Sequence, residues 1–316
     1  MTLTRNETAD FLRTHDNYCI LTHRRPDGDT VGSSAALCRI LRNMGKTAHI
    51  LENSEVTPRF LWLHQGLTKE KAEENDTIVT VDVAAPEMLP KAFKSLMPRI
   101  KLRLDHHGSA TSFTELELVD PEAGACGEII YDILNLLGAE PDRDIADALY
   151  VAISTDTGCF RFSNTTEHTF LTAAACARAG VEMHTLNQEL FETNSLEKLK
   201  MQAWIADNME LFGDGKMAII AIPCSVEAEI GVSDDDMDNI SNFPRTVAGV
   251  CVAATLRETK YGDTKISVRA VPGYDAAAIT EKFGGGGHKG AAGAFVKKPI
   301  TEVTADLRAV MAEGGL

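Results

Sequence analysis

The residues most able to do chemistry stand close together in His23-Arg24-Arg25-Pro26-Asp27-Gly28-Asp29-Thr30-Val31-Gly32-Ser33. An imidazole and two carboxylates, on a turn stiffened by Pro26 and Gly28, aim nitrogen and oxygen donors into one small volume. A metal site is the natural reading, and a plain Asx-rich turn is the competing one. The calcium loop of an EF-hand starts similarly but needs more oxygen ligands. Here Val31 fills the next ligand position and Cys38 stands where the bidentate Glu belongs. Asp82 closes the apolar run Ile78-Val79-Thr80-Val81; alone, it reads first as a helix cap or a surface carboxylate. Asp105-His106-His107-Gly108 follows another apolar run. Three ionisable groups there are costly unless water, metal or partners satisfy them, with a hydrogen-bonded turn as the alternative. Asp156, in Ser154-Thr155-Asp156-Thr157-Gly158, adds a carboxylate at a predicted helix end. Arg161 follows closely and reads either as a substrate-facing cation or as half of a surface ion pair.

A second group is Gly284-Gly285-Gly286-Gly287-His288-Lys289-Gly290-Ala291-Ala292-Gly293. It fits the letters of a dinucleotide fingerprint but follows a predicted helix, whereas the fingerprint follows a strand. No Lys-Ser/Thr follows Gly290, so it is not a P-loop. Successive glycines permit positive φ and let backbone N–H groups converge on an anion, and His288 adds a donor. A merely flexible loop is the alternative.

The elements that must position these groups follow from hydrophobic pattern. Short apolar runs at 18–22, 48–51, 77–81 and 100–104 read as buried strands. Helical patterns cover 33–44 (closed by Gly45), 126–137, 144–154, 167–179 and 196–212. Alternating strands and helices imply an α/β domain with a mostly parallel sheet, whose ligands bind at the carboxyl ends of strands. His23, Asp82 and Asp105 to His107 fall at such ends. Strands near 217–222, 247–256 and 265–271, a helix at 275–282, the glycine loop and a strand at 294–297 make a smaller α+β domain. The expected division is 1–195, a helical linker at 196–215, and 216–316.

A formal net charge of -15 argues against tracking long duplex nucleic acid, which needs many phosphates neutralised by Lys and Arg. The last third is nearer neutral, with 11 basic and 13 acidic side chains in 216–316, and suits a small anionic ligand. No apolar run approaches the roughly 20 residues of a membrane helix, and the first residues lack the order of a signal peptide, so a cytoplasmic protein is expected. The seven cysteines are odd in number and form no CxxC pair, and all seven read as structural. Exposed helices make a homodimer a reasonable expectation.

Taken in order, these groups resemble the motifs of the DHH phosphoesterase family. That family includes RecJ-type exonucleases, short-oligoribonuclease and phosphoadenosine-phosphatase enzymes, cyclic-dinucleotide phosphodiesterases and family II pyrophosphatases. The first motif matches at His23, Pro26, Asp27, Gly28, Asp29, Gly32 and Ser33, the second at Asp82, the third at Asp105-His106-His107 and the fourth at Asp156. The glycine loop is similar to the phosphate- or nucleotide-binding loop of the family's small C-terminal domain, through Gly285, Gly286, Gly287 and His288. Arg269 matches that domain's substrate-binding Arg on an adjacent strand.

The resemblance implies two divalent ions. His23, Asp27 and Asp82 would hold one; Asp29, Asp82, His106 and Asp156 would hold the other. Mixed oxygen and imidazole ligands suit Mn2+ first, with Mg2+, Co2+ or Zn2+ as alternatives. Asp105 would orient a histidine, and His107 would contact the phosphate or help protonate the leaving oxygen. Short, single-stranded substrates are implied: pApA or pGpG cleaved to 5′-mononucleotides, and 3′-phosphoadenosine 5′-phosphate to AMP. The rivals are a cyclic-dinucleotide phosphodiesterase, an exopolyphosphatase and a non-catalytic nucleotide-binding module, whose expected signature is a missing ligand.

Overall fold

The structure is a computed structural model that describes residues 1–108, 111–237 and 239–313. They form two compact units, Met1–Thr193 and Asn194–Leu316. Among the described residues no helix is long and apolar enough to cross a membrane.

The first unit opens with helix α1 (Arg5–Thr14), whose Thr4 and Glu7 form a capping box. Its sheet comprises β1 (Tyr18–Leu21), β2 (Ala48–Leu51), β3 (Thr68–Lys69), β4 (Thr77–Val81), β5 (Ile100–Asp105) and β6 (Leu116–Val119). The strands run parallel throughout, in the order β3-β2-β1-β4-β5-β6. The expectation of an α/β domain on a mostly parallel sheet is therefore met. The short edge strands β3 and β6 were not legible, because neither carries a strong apolar run. After β1 the chain builds outward through β2 and β3, then returns to place β4 on the other side of β1. That reversal opens a crevice beyond the carboxyl ends of β1 and β4.

Helix α2 (Gly28–Asn43) begins five residues before the expected 33, because Asp27 caps it by accepting the N–H groups of Asp29 and Thr30, each at 3.1 Å. The chemistry-bearing turn is thus the first turn of a helix. Helices α3 (Cys126–Leu136), α4 (Arg143–Asp156), α5 (Glu167–Arg178) and α6 (Met183–Asn187) follow. Val31, Ala35, Leu41, Ile129, Ile133, Leu149 and Tyr150 of α2, α3 and α4 close one core with Tyr18 and Ile20 of β1. The other sheet face packs Cys19, Leu21, Leu51 and Ile78 against Leu89, Phe93 and Ile100.

Helix α2 lies unusually close to α4. A Cβ at Gly32 would sit 2.4 Å from the Ala148 carbonyl oxygen and 2.9 Å from the Ala152 nitrogen. Both are backbone atoms, so neither can rotate away.

The second unit starts with helix α7 (Leu196–Asn208) and strand β7 (Glu210–Phe212). The helix expected over 196–212 therefore ends early, and its last residues pair with β8 (Met217–Ile222). Nor is the helix a free linker: Met201 and Ile205 are fully buried with Ile220, Ile222, Met237 and Ile240. After α8 (Cys224–Ile230) come β9 (Val252–Glu258), β10 (Thr264–Ala270), α9 (Ala276–Glu281), β11 (Gly286–Gly287), β12 (Ala291–Val296) and α10 (Ile300–Glu313). The mixed sheet has the order β11-β12-β10-β9-β8-β7. Period-2 alternation sends Met217 and Ile219 into a core with Val303 and Leu307 of α10, and Ile220 and Ile222 toward α7. Strand β9 starts later than the expected 247, because residues 247–250 form a turn closed by Val250 N to the Val247 carbonyl oxygen at 3.1 Å, with Gly249 at φ 88°.

Gly32→Ala should destabilise the protein by about 1–3 kcal/mol, the usual cost of overpacking. The check is urea unfolding, where the midpoint should fall with the slope unchanged. An unaltered midpoint would show that α2 and α4 can separate freely.

Candidate metal centre

Each donor of the first unit is delivered by the end of an element. His23 lies two residues beyond β1, Asp82 directly follows β4, Asp105 ends β5, and Asp156 is the last residue of α4. Asp27 and Asp29 belong to the cap and first turn of α2. These side chains converge as His23, Asp27 and Asp82; as Asp29, His106 and Asp156; and as Asp82, His106 and His107. All six expected ligands are brought together.

The separations are informative. His23 Nε2 is 3.5 Å from both Asp27 Oδ1 and Asp82 Oδ2. His106 Nε2 is 3.7 Å from Asp29 Oδ2, 3.6 Å from Asp82 Oδ1 and 3.6 Å from Asp156 Oδ2. Charge-assisted hydrogen bonds are about 2.7–2.9 Å. Two donors bound to one ion at ~2.0–2.3 Å sit about 3–3.8 Å apart, which is the spacing found here. Asp82 faces one group with each carboxylate oxygen, and its buried Oδ1 has no hydrogen-bond partner. Its backbone is left-handed, at φ 58°, a conformation Asp tolerates better than most residues. The donor set therefore fits divalent metal, and Asp82 turns one carboxylate oxygen to each group.

Neighbouring groups fix the ligands. Both histidines use Nδ1 as a donor to backbone, His23 to the Arg24 carbonyl oxygen (2.8 Å) and His106 to that of Ala123 (3.1 Å), leaving Nε2 for a ligand. Asp29 is almost completely buried and accepts from Cys126 N (2.7 Å), Gly127 N (3.0 Å) and the Ser33 hydroxyl (2.8 Å). Two of these donors are N–H groups at the start of α3, where a helix favours negative charge. Asp105 Oδ1 accepts from His107 Nδ1 at 2.8 Å and from the His106 backbone N–H at 2.9 Å. The expected orienting role of Asp105 thus falls on His107.

Crowding shifts the titrations. Burial, then the nearby Asp82 and other carboxylates, raises Asp29 well above the ordinary carboxylate range. Burial, with Asp27 and Asp82 nearby, pushes Asp156 up to about 7. For His106 burial opposes the charge, but Asp29, Asp82 and Asp156 outweigh it and raise the imidazole to about 9. His107 moves upward too, its burial overcome by the Asp105 hydrogen bond.

Arg161 takes no part in these groupings. It is exposed, and its Nε donates to the Gly158 carbonyl oxygen at 2.6 Å. Asn164 was missed. Its amide donates to Asp156 Oδ2 (3.3 Å), to the Asp156 carbonyl (3.2 Å) and to that of Gly124 (2.8 Å). No local pattern separates it from an ordinary turn Asn.

In the second unit the glycine segment is partly strand. Gly286 and Gly287 pair with Gly293 and Ala292, and His288 and Ala291 close the hairpin by exchanging backbone hydrogen bonds at 2.8 and 3.1 Å. A Cβ at Gly285 would meet the Gly293 carbonyl oxygen at 2.2 Å, so the missing side chain there serves close strand contact. His288 and Lys289 are exposed at the tip. Arg269 pairs with Ala291 across β10 and β12, and its Nε donates to Asn242 Oδ1 at 2.8 Å.

Comparison with known proteins matches the DHH family N-terminal domain to residues 17–153 and the DHHA1 domain to residues 214–313. The chain is 34% identical over 281 residues to the bifunctional oligoribonuclease and PAP phosphatase NrnA of Thermus thermophilus, a match covering 88% of this chain and 83% of that protein. To the protein of the same name from Bacillus subtilis it is 26% identical over 297 residues, covering 91% and 93%. An exopolyphosphatase-related protein from Bacteroides fragilis shares the fold with a TM-score of 0.89 over 98% of this chain and 95% of that one, at 20% identity. RecJ from Thermus thermophilus, solved with Mn2+, has a TM-score of 0.56 at 14% identity, covering 97% of this chain and 53% of that one.

Asp82→Asn keeps the size and the tolerance of left-handed backbone but removes a charge that faces both groups. It should fold and bind Mn2+ at least about tenfold more weakly in titration calorimetry. Unchanged affinity and stoichiometry would detach Asp82 from metal binding.

Proposed function

We propose, for a chain that belongs to the DHH phosphoesterase family, that it hydrolyses very short oligonucleotides to 5′-mononucleotides and 3′-phosphoadenosine 5′-phosphate to AMP, using two divalent ions of which Mn2+ is preferred. The observation that carries this reading is the placement of Asp82, one oxygen 3.5 Å from His23 and the other 3.6 Å from His106. His23, Asp27 and Asp82 would hold one ion, and Asp29, Asp82, His106 and Asp156 the other. No ligand position carries an incompetent side chain, which disfavours a silent binding module. The names of the Thermus and Bacillus relatives support the substrate class.

When bound, the ions supply activation of water and neutralise charge on the phosphoryl oxygens. The chain's own groups do the rest. Asp105 holds His107 through Nδ1, which leaves Nε2 to contact a phosphate oxygen or donate a proton to the leaving oxygen. Asp29, tied to the start of α3, and Asp156, tied to Asn164, keep their oxygens oriented without spending binding energy on reorganisation. In the second unit the Arg269 guanidinium and the hairpin tip at His288 are the phosphate-holding groups of this proposal. Arg269 is in register with Ala291, whose backbone bonds to that of His288, so both groups belong to the same end of the hairpin and suit a small anion.

The Mn2+-loaded protein is to be incubated with pApA, 3′-phosphoadenosine 5′-phosphate, cyclic di-AMP, pyrophosphate and polyphosphate. AMP should appear fastest from the first two. Faster turnover of polyphosphate or cyclic di-AMP would replace this reading with the corresponding rival. Arg269→Ala should raise KM for pApA about tenfold or more, the cost of a lost charged hydrogen bond, while Mn2+ affinity stays unchanged. Parallel loss of both would contradict a substrate-holding role.

A further inference from the structure

A second cluster of metal-ligating side chains lies at the other end of the first sheet. Cys19 is the second residue of β1, and the parallel register sets His49 of β2 directly beside it. Asp76 immediately precedes β4, whose first residue pairs with Tyr18. Three adjacent strands thus bring Cys19 Sγ, a His49 ring nitrogen and an Asp76 carboxylate oxygen within 4.8 Å of one another. Four residues of extended strand separate Cys19 from His23, about 13 Å, so this cluster shares no donor with the candidate centre above.

The state of His49 requires explanation. The residue is 1% exposed, and neither ring nitrogen has a hydrogen-bond partner. Leaving a buried polar group unpaired costs about 1–3 kcal/mol. The nearest carboxylate does not relieve it, because Nε2 to Asp76 Oδ2 is 3.5 Å. Asp76 is itself held in place, accepting the Glu73 N–H at 2.6 Å. Leu21, Leu51, Ile78, Phe93 and Ile100 pack on the apolar side of the cluster, and Lys69, Arg42 and Arg99 lie close enough to act on it electrostatically.

We propose that Cys19, His49 and Asp76 form a zinc-binding site that clamps β2, β1 and β4 together. A thiolate and a carboxylate cancel the charge of a dication, which donors this deeply buried demand. Sulfur and imidazole select zinc over the harder ions suited to the oxygen-rich centre. The 3.5 Å between His49 and Asp76 is the edge of a tetrahedron with bonds of ~2.0–2.2 Å. Three protein ligands leave the fourth position to a small exogenous donor. The strands so joined are β1 and β4, which carry His23 and Asp82 at their far ends, and their neighbour β2. The proposal does not depend on the substrate assigned above.

The test uses the full chain, stripped by chelator and reloaded with Co2+ alone, because a thiolate bound to cobalt gives a charge-transfer absorption that oxygen and imidazole ligands do not. Wild type should show this band at one thiolate site per chain, and Asp82→Asn should keep it. One equivalent of Zn2+ should abolish it. Cys19→Ser and His49→Gln should each lose it. No band in cobalt-saturated wild type overturns the proposal without any variant being needed. A band that survives in a folded Cys19→Ser protein overturns it too, by assigning the absorption to another thiol. Should Cys19→Ser fail to fold, His49→Gln decides, and an undiminished band there counts against the site.

Discussion

The repulsion among buried carboxylates beyond the ends of β1, β4 and β5 is the constraint around which the first unit is built. At about 4 Å, two like charges in an effective dielectric of about 20 repel by roughly 4 kcal/mol. Asp29 and Asp82 are almost wholly buried, and both share His106 as a neighbour. The upward shifts of Asp29, of Asp156 to about 7 and of His106 to about 9 express this crowding. Protons or cations must neutralise it, and the oxygen and imidazole donors serve both. A fold optimised only for stability would have placed apolar groups here.

Such a site persists because the surrounding structure leaves it nowhere to relax. Helix α2 is pressed onto α4 through Gly28 and Gly32, and Gly127 of α3 lets Ala152 approach to where a Cβ would be 2.6 Å away. Close helix packing fixes the direction of the α2 first turn, and with it Asp27 and Asp29. The same residues therefore cap a helix, accept from the start of another and face the metal-ligand volume. Asp82 carries the remaining strain in its left-handed backbone.

The second unit follows a different economy. Its glycines do not form a wholly open loop: side chains at Gly285 and Gly287 would collide with the opposing β12 backbone, whereas Gly286 has open space. His288 and Lys289 stand exposed at the tip, as do Gly286 and Gly287 of β11, and Arg269 lies at the adjacent strand register. Helix α7, whose lack of glycine and proline suggested a connector, is instead a packed layer, because Met201 and Ile205 lie buried against the sheet.

The strands that present His23, Asp82 and His106 and the α/β character were legible in the sequence alone, because strand pattern is local, whereas the full set of six candidate ligands followed from the resemblance to the family's ordered motifs. Helix α2 was visible but five residues short, since its first turn is polar and reads as loop until the cap is seen. The role of Asn164 and the tie from Asp29 to residues 97 and 98 positions away were decided by tertiary structure. So was the meeting of Cys19, His49 and Asp76, three residues that look ordinary singly and that all seven-cysteine arithmetic leaves structural. The physical reason is common to these cases. Pattern along a chain reports which residues leave water, but which of them touch is set by strand order and helix packing, and those depend on contacts far apart in sequence.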